Sequence, residues 1–114
     1  MPFINVKTSA ELTEEKIEKI KNELGQTITL FPGKTEAWLM VNIEQGCKLY
    51  FKGNDNKNTA FVDVAVLGST SKSDCEKVTG SVCEILERLA GVPSDRTYVK
   101  FEDCDKWGYN GFMF

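Results

Sequence analysis

The pattern of hydrophobic and polar positions predicts four main strands, one short additional strand and two amphipathic helices. Phe3 to Lys7 alternates with a period of two, which is typical of a strand whose two faces differ. Thr13 is a suitable N-cap, and apolar residues then recur at helical spacing, at Ile17, Ile20, Leu24 and Ile28. The apolar run from 37 to 43 predicts a second strand, one that is covered on both faces.

The second half of the chain repeats this order of elements. A short strand is predicted over Lys48–Phe51, and the β-branched segment 60–67 is the strongest strand signal in the chain. Ser73 is the predicted cap of a second helix, which ends at Gly91 before Val92 and Pro93. The segment from Thr97 to Phe101 follows as a further strand.

This order predicts an α+β fold made of two βαβ units within a single domain, residues 1–114. Right-handed crossovers place both helices on one face of a four-stranded sheet. The opposite face and the apolar tail, which begins at Trp107, would then lack cover. Oligomerisation is the expected solution for a chain of 114 residues.

Composition excludes several classes of partner. The formal net charge is −3 and there is no basic block, so we expect no nucleic-acid partner. No apolar run approaches the about 20 residues that cross a bilayer, so no membrane partner is expected. The start lacks the pattern of a signal peptide. The simplest expectation is a cytoplasmic protein, and secretion without a signal peptide stays open.

The positions of the cysteines and the lack of histidine limit which metal sites and catalytic groups the chain can form. The chain has four cysteines, none of them in a C-x-x-C pair, and no histidine. A zinc site would need all four thiols from scattered positions, so we expect no metal. Histidine-based triads and histidine general bases are ruled out.

Pro2 is the candidate catalytic residue. Removal of Met1, which is usual when a small residue such as proline follows, would leave a secondary amine at the start of an apolar strand. Burial and a neighbouring cation both lower the pKa of an amine, and an amine that is neutral near pH 7 can act as general base. Sequences that begin with Met-Pro also arise by chance. The hypothesis that Pro2 is catalytic therefore depends on further motifs in the chain.

Several motifs together resemble one known family. They are Met1-Pro2 before a strand, Gly33-Lys34 after the first helix, Val66-Leu67-Gly68, the stretch from Val92 to Val99, and the tail Trp107-Gly108-Tyr109-Asn110-Gly111. In this order and spacing they resemble the tautomerase superfamily, in the branch of macrophage migration inhibitory factor and D-dopachrome tautomerase. The resemblance covers essentially the whole chain.

The resemblance implies a homotrimer of βαββαβ subunits whose sheets form a barrel, with active sites between subunits. It implies keto–enol tautomerisation of an aromatic 2-keto acid such as phenylpyruvate, without a metal or organic cofactor. Pro2 would be the base, Lys34 and the Leu67 backbone N–H would bind the substrate carboxylate, and Tyr98 would come from the neighbouring subunit. Apolar walls would come from Trp38, Val41, Trp107, Tyr109 and Phe114.

Departures from the family pattern leave the function open. Lys100 stands where the family usually has asparagine, and it would add a second carboxylate-binding charge, lower the Pro2 pKa further, or narrow the pocket. The C-x-x-C of the mammalian factor is absent. One alternative is a non-enzymatic, cytokine-like signalling or interaction protein on the same fold. A second is hydration or dehalogenation of a small unsaturated acid, for which no set of water-activating residues is evident.

Overall fold

Two βαβ units build the protein, in the order that the sequence pattern predicts. The computed structural model describes residues 1–114. The first unit consists of β1 (Pro2–Thr8), α1 (Glu14–Thr27) and β2 (Met40–Glu44), and the second of β3 (Ala60–Leu67), α2 (Lys72–Ala90) and β4 (Thr97–Cys104). A small hairpin of β5 (Gly108–Tyr109) and β6 (Phe112–Met113) follows. None of the helices is both long and apolar enough to pass through a membrane.

The four long strands form one sheet in the order β2-β1-β3-β4. Within each unit the strands are parallel, and the two units meet through the antiparallel pair β1 and β3, in which Pro2 lies opposite Val66. On the two central strands, β1 and β3, the side chains that face the helices are fully buried, among them Ile4, Val62 and Val64. The predicted four-stranded α+β sheet with two helices is therefore confirmed.

Local sequence signals set the ends of the helices. The Thr13 hydroxyl accepts a hydrogen bond from the backbone N–H of Lys16, which confirms the predicted cap of α1. The cap of α2 is Ser71 and not the predicted Ser73, because the Ser71 hydroxyl accepts from the Asp74 N–H at 3.1 Å. Gly91 ends α2 in the left-handed conformation, with φ of 65°.

One strand prediction was wrong in part, and another was wrong. Glu36–Trp38 forms a 3₁₀ turn, and β2 begins only at Met40. Because β2 is the edge strand of the sheet, it is not covered on both faces: Met40 is 68% exposed on the side away from the helices. The predicted strand Lys48–Phe51 is absent, because within one chain this segment finds no strand to pair with, and only Phe51 makes a local bridge to Asn54.

The structure accounts for the lone charge within β3. Asp63 lies opposite Lys100 in the β3–β4 register, and their side chains form an ion pair at 3.1 Å. Opposite Asp63 on its other side lies Asn5, whose side-chain oxygen accepts from Asn42 at 2.9 Å. A polar row therefore crosses all four strands on the face of the sheet that carries no helix.

The burial of α1 leads to a stability prediction. Ile20→Ala removes a side chain that is 0% exposed in the core, and large-to-small core changes of this kind cost about 2–5 kcal/mol. Ile17→Ala, on the same helix but only partly buried, is the matched control and should cost clearly less. Urea unfolding at one fixed protein concentration measures both variants. Equal losses would contradict the placement of Ile20 in the core.

Candidate active site

A largely apolar pocket lies at the start of β1. Its volume is about 540 Å³, and it is lined by the first three residues of the chain, by the segment leading into β2, by Ala65 of β3 and by the start of the C-terminal hairpin: Met1, Pro2, Phe3, Ala37, Trp38, Leu39, Met40, Ala65, Trp107, Gly108 and Tyr109. A cavity of this size and character suits a small molecule. Pro2, Trp38, Trp107 and Tyr109 were predicted as site residues, and the structure brings these four together.

An aromatic cluster forms one wall of this pocket. The rings of Trp38 and Tyr109 meet edge to face, with centroids 5.3 Å apart. Phe114 does not line the pocket itself but stacks on Tyr109 at 6.1 Å, and its backbone N–H donates to the Trp107 carbonyl at 3.0 Å. Trp38 is 53% exposed and Tyr109 45%, so the wall is open to solvent in the single chain. Such a wall offers edge and face contacts to an aromatic ligand.

Lys34 and Leu67 meet beside the first residue of the chain. Gly33 turns the chain with φ of 78°, and the Lys34 ammonium that follows donates to the Leu67 carbonyl at 2.7 Å. The backbone N–H of Leu67 in turn donates to the Met1 carbonyl at 3.0 Å. Neither side chain lines the pocket, but both groups lie at its margin, where Met1 connects them to Pro2.

The α-amine at this end of the pocket is electrostatically perturbed. Partial burial, the positive charge of Lys34 and a hydrogen bond involving Lys34 all lower the pKa of the Met1 α-amine below its ordinary value. Pro2, directly behind it, is buried. The Met1 α-amine is therefore biased toward its neutral form, which is the form that a base requires.

Three predicted site residues lie away from this pocket within the chain. Val41 pairs with Ile4 in the sheet and packs against the core on the helix side. Lys100 is paired with Asp63, and Tyr98 lies opposite Phe61. Phe61 is five residues along β3 from Val66, the partner of Pro2, so Tyr98 is displaced from Pro2 by about 17 Å along the strand direction, at about 3.4 Å per residue, and lies on the far side of β3.

Three of the pocket residues that were not predicted come from the open face of the sheet: Phe3, Met40 and Ala65. Strand alternation puts Phe3 on the face opposite Ile4, next to Ala65 in the β1–β3 register and Met40 in the β1–β2 register. The alternation of residues along β1 already indicates from the sequence that Phe3 lies on the open face. That Ala65 and Met40 lie beside Phe3 follows only from the strand order, which the structure supplies. Nowhere do three or more side chains of the kinds that bind metals come close enough together to hold an ion.

The chain belongs to a known family of proteins. The family model described as macrophage migration inhibitory factor (MIF) matches residues 1–114, so the chain is a member of the MIF family, within the tautomerase superfamily. This superfamily includes tautomerases, which are isomerases, and its members form homo-oligomers and act on small molecules. Membership supports a tautomerase-type or MIF-like function. No curated protein matches the chain in sequence.

Solved structures show the same fold. MIF2 from Leishmania major is 24% identical, with a TM-score of 0.91, over 100% of this chain and 97% of that one. The MIF homologue from Prochlorococcus marinus is 29% identical, with a TM-score of 0.83 over 98% of each chain. The structure of Pt0534 inactivated by 2-oxo-3-pentynoate is 13% identical, with a TM-score of 0.84, over 97% of this chain and 95% of that one.

The contact between Lys34 and the α-amine can be tested by titration. In protein that retains Met1, Lys34→Ala removes one of the positive charges that disfavour protonation, so the pKa of the α-amine should rise. Lys21→Ala, an exposed lysine on α1, is the matched control and should leave that pKa unchanged. NMR titration of the isotope-labelled amino terminus measures both. A pKa that does not move in Lys34→Ala would remove Lys34 from the electrostatics of the site.

Proposed function

We propose that this protein, once Met1 is removed, is a cofactor-independent keto–enol tautomerase of aromatic 2-keto acids of the phenylpyruvate type. The observation that carries the proposal is the position of Pro2, buried at an aromatic pocket whose margin holds the cation of Lys34. The neutral Pro2 nitrogen takes a proton from the carbon next to the ketone, and the electron pair moves onto the carbonyl oxygen. The prolinium then returns the proton to oxygen, which gives the enol. The reverse sequence returns the ketone.

Removal of Met1 exposes two groups at once. It converts the Pro2 amide into a secondary amine, and it takes away the carbonyl that now accepts the Leu67 N–H. That N–H is then free to donate to a substrate carboxylate oxygen, while the Lys34 ammonium supplies the opposite charge. Burial and the Lys34 cation, which already lower the pKa of the Met1 amine, would act on the prolyl amine in the same sense.

The aromatic cluster accounts for the proposed preference for an aromatic substrate. The rings of Trp38 and Tyr109, which meet edge to face, would flank a phenyl ring bound with its carboxylate toward Lys34. The inactivation of Pt0534 by 2-oxo-3-pentynoate, itself a 2-oxo acid, fits the same ligand class for a protein of this fold.

Tyr98 and Lys100 would contribute to a substrate pocket only if the protein forms a homotrimer. In a homotrimer, the open face that carries both residues would lie against a neighbouring chain. Tyr98, 60% exposed in the single chain, would complete the neighbour's aromatic wall. Lys100, also exposed in the single chain, would bring a second positive charge, moderated by Asp63, toward the same substrate carboxylate.

The base can be tested by comparing two forms of one preparation, with and without Met1, each verified by intact mass. The processed form should tautomerise phenylpyruvate, with activity that rises with pH as the Pro2 amine loses its proton. The unprocessed form has an amide nitrogen at Pro2, and it should lose roughly 10²–10⁴-fold in kcat/KM, the usual contribution of a general base.

Folding of both forms is checked by circular dichroism, and Pro2→Gly, which keeps a terminal amine, should lose less activity than retention of Met1. Equal activity in the two forms would remove Pro2 from the role of base. An intact but inactive protein in both forms would favour the non-enzymatic, cytokine-like alternative.

The oligomeric state can be tested separately from the activity. The open sheet face and the exposed aromatic tail predict a homotrimer at micromolar concentration, because both would cost free energy in water. Light scattering coupled to size exclusion measures the mass directly. A stable monomer would exclude a site shared between chains, and with it the proposed roles of Tyr98 and Lys100.

A further inference from the structure

Arg96 is an almost fully buried cation that the proposed reaction does not use. It ends the 3₁₀ turn Ser94–Arg96, directly before β4, and is only 7% exposed. Its three hydrogen-bond acceptors are all neutral: the Thr59 hydroxyl at 2.9 Å, the Asn54 side-chain oxygen at 3.2 Å and the Asn54 carbonyl at 3.0 Å. No carboxylate lies within ion-pair distance of Arg96, whose charge contributes, after Lys48, to the lowered pKa of Asp55. Burial of a guanidinium on neutral acceptors carries a desolvation cost, which the hydrogen bonds of its planar fork offset.

The guanidinium holds one tight turn in place. Phe51 and Asn54 close this turn with two backbone hydrogen bonds, at 2.8 and 3.1 Å, and Lys52 and Gly53 between them both have positive φ. Arg96 binds the turn at the carbonyl and the side chain of Asn54, and its guanidinium carbon also lies 5.4 Å from the centre of the Phe51 ring. Arg96 therefore fixes both the turn and the ring that the turn carries.

The Phe51 ring connects Arg96 to Tyr98. The two rings meet edge to face, with centroids 5.3 Å apart, whereas the next aromatic neighbour of Tyr98, Phe61, is 6.5 Å away. Tyr98 is otherwise 60% exposed, so these rings are what orient it within the chain. A displacement of Phe51 would therefore be transmitted to Tyr98.

We propose that Arg96 is a positioning residue, which acts through the Phe51–Asn54 turn to orient Tyr98 for the neighbouring substrate pocket. The part of this inference that concerns the substrate rests on the proposed function. The part that concerns the orientation of Tyr98 does not, and the two are measured separately.

The first measurement needs no activity. In Arg96→Lys, which keeps a positive charge but loses the planar fork, the ring protons of Tyr98 should lose the NMR shifts that the Phe51 ring imposes. Phe51→Leu should produce the same loss without touching Arg96. Lys52→Gln is the matched control, because the Lys52 ammonium lies 5.6 Å from the same ring but on an exposed side chain, and it should leave the Tyr98 resonances unchanged.

The second measurement uses the processed protein and phenylpyruvate. Arg96→Lys should raise KM about tenfold, as expected for the loss of one oriented contact, and should leave kcat within about twofold. In a Tyr98→Ala background the same substitution should change KM no further, because the contact it orients is gone. A merely structural role would instead lower stability and leave the KM of the folded fraction unchanged.

The outcomes are distinct. Unaltered Tyr98 resonances in both Arg96→Lys and Phe51→Leu would overturn the positioning role, whatever the activity. Altered resonances with an unchanged KM would restrict Arg96 to the fold and overturn its link to the substrate. If the processed protein is inactive, the proposed function fails, and the NMR comparison still decides whether Arg96 orients Tyr98.

Discussion

The antiparallel pairing of β1 with β3 is the constraint on which the rest of the molecule depends. It joins the two βαβ units, and its register sets Pro2 opposite Val66 and Phe3 opposite Ala65. A shift by one residue would exchange the two faces of β1, bringing the buried Ile4 and Val6 to the open side and Asn5 into the core. The burial of the core therefore holds the amino terminus at the pocket.

The two faces of the sheet differ in burial and in polarity. The helix side is closed by a single apolar cluster in which many side chains are fully buried. The open side carries a polar row from Asn42 to Lys100, with aromatic and apolar side chains on either side of it. An edge strand with exposed Met40 and an exposed aromatic hairpin adjoin this face. This arrangement is what one expects of a surface that is partly solvated and partly reserved for contact with another chain.

In the candidate site, the first residue of the chain lies beside the Leu67 backbone and the Lys34 ammonium. The Met1 carbonyl accepts from the Leu67 N–H, and the Lys34 ammonium donates to the carbonyl of the same residue, Leu67. Under the proposed mechanism, the processing of one residue both creates the base and frees a donor for the substrate. The same lysine would lower the pKa of the amine and bind the carboxylate, so electrostatics and recognition would come from one charge.

The sequence by itself determined the two helices, the four strands of the main sheet and their order along the chain. The period-two alternation of β1, the β-branched segment of β3, the helical spacing on α1 and the turn at Gly91 are local signals, and the structure follows them. The motifs sufficed to recognise the family. The resemblance led us to expect Pro2, Trp38, Trp107 and Tyr109 in one site, and in the structure these four residues line one pocket. The cap of α2 was predicted at Ser73 and lies at Ser71, because both residues offer a hydroxyl at the start of this helix.

Only the tertiary structure decided which contacts these elements make. A continuous apolar run cannot tell an edge strand from a central one, so β2 was expected to be longer and better covered than it is. The sequence 48–51 has the composition of a strand, but a strand needs a partner, and one chain supplies none. Lys100 and Asp63 are 37 positions apart in the sequence, and only the β3–β4 register makes them an ion pair. Arg96 likewise shows no special role until the fold buries it between Thr59, Asn54 and the ring of Phe51, because burial and partners depend on residues that are distant along the chain.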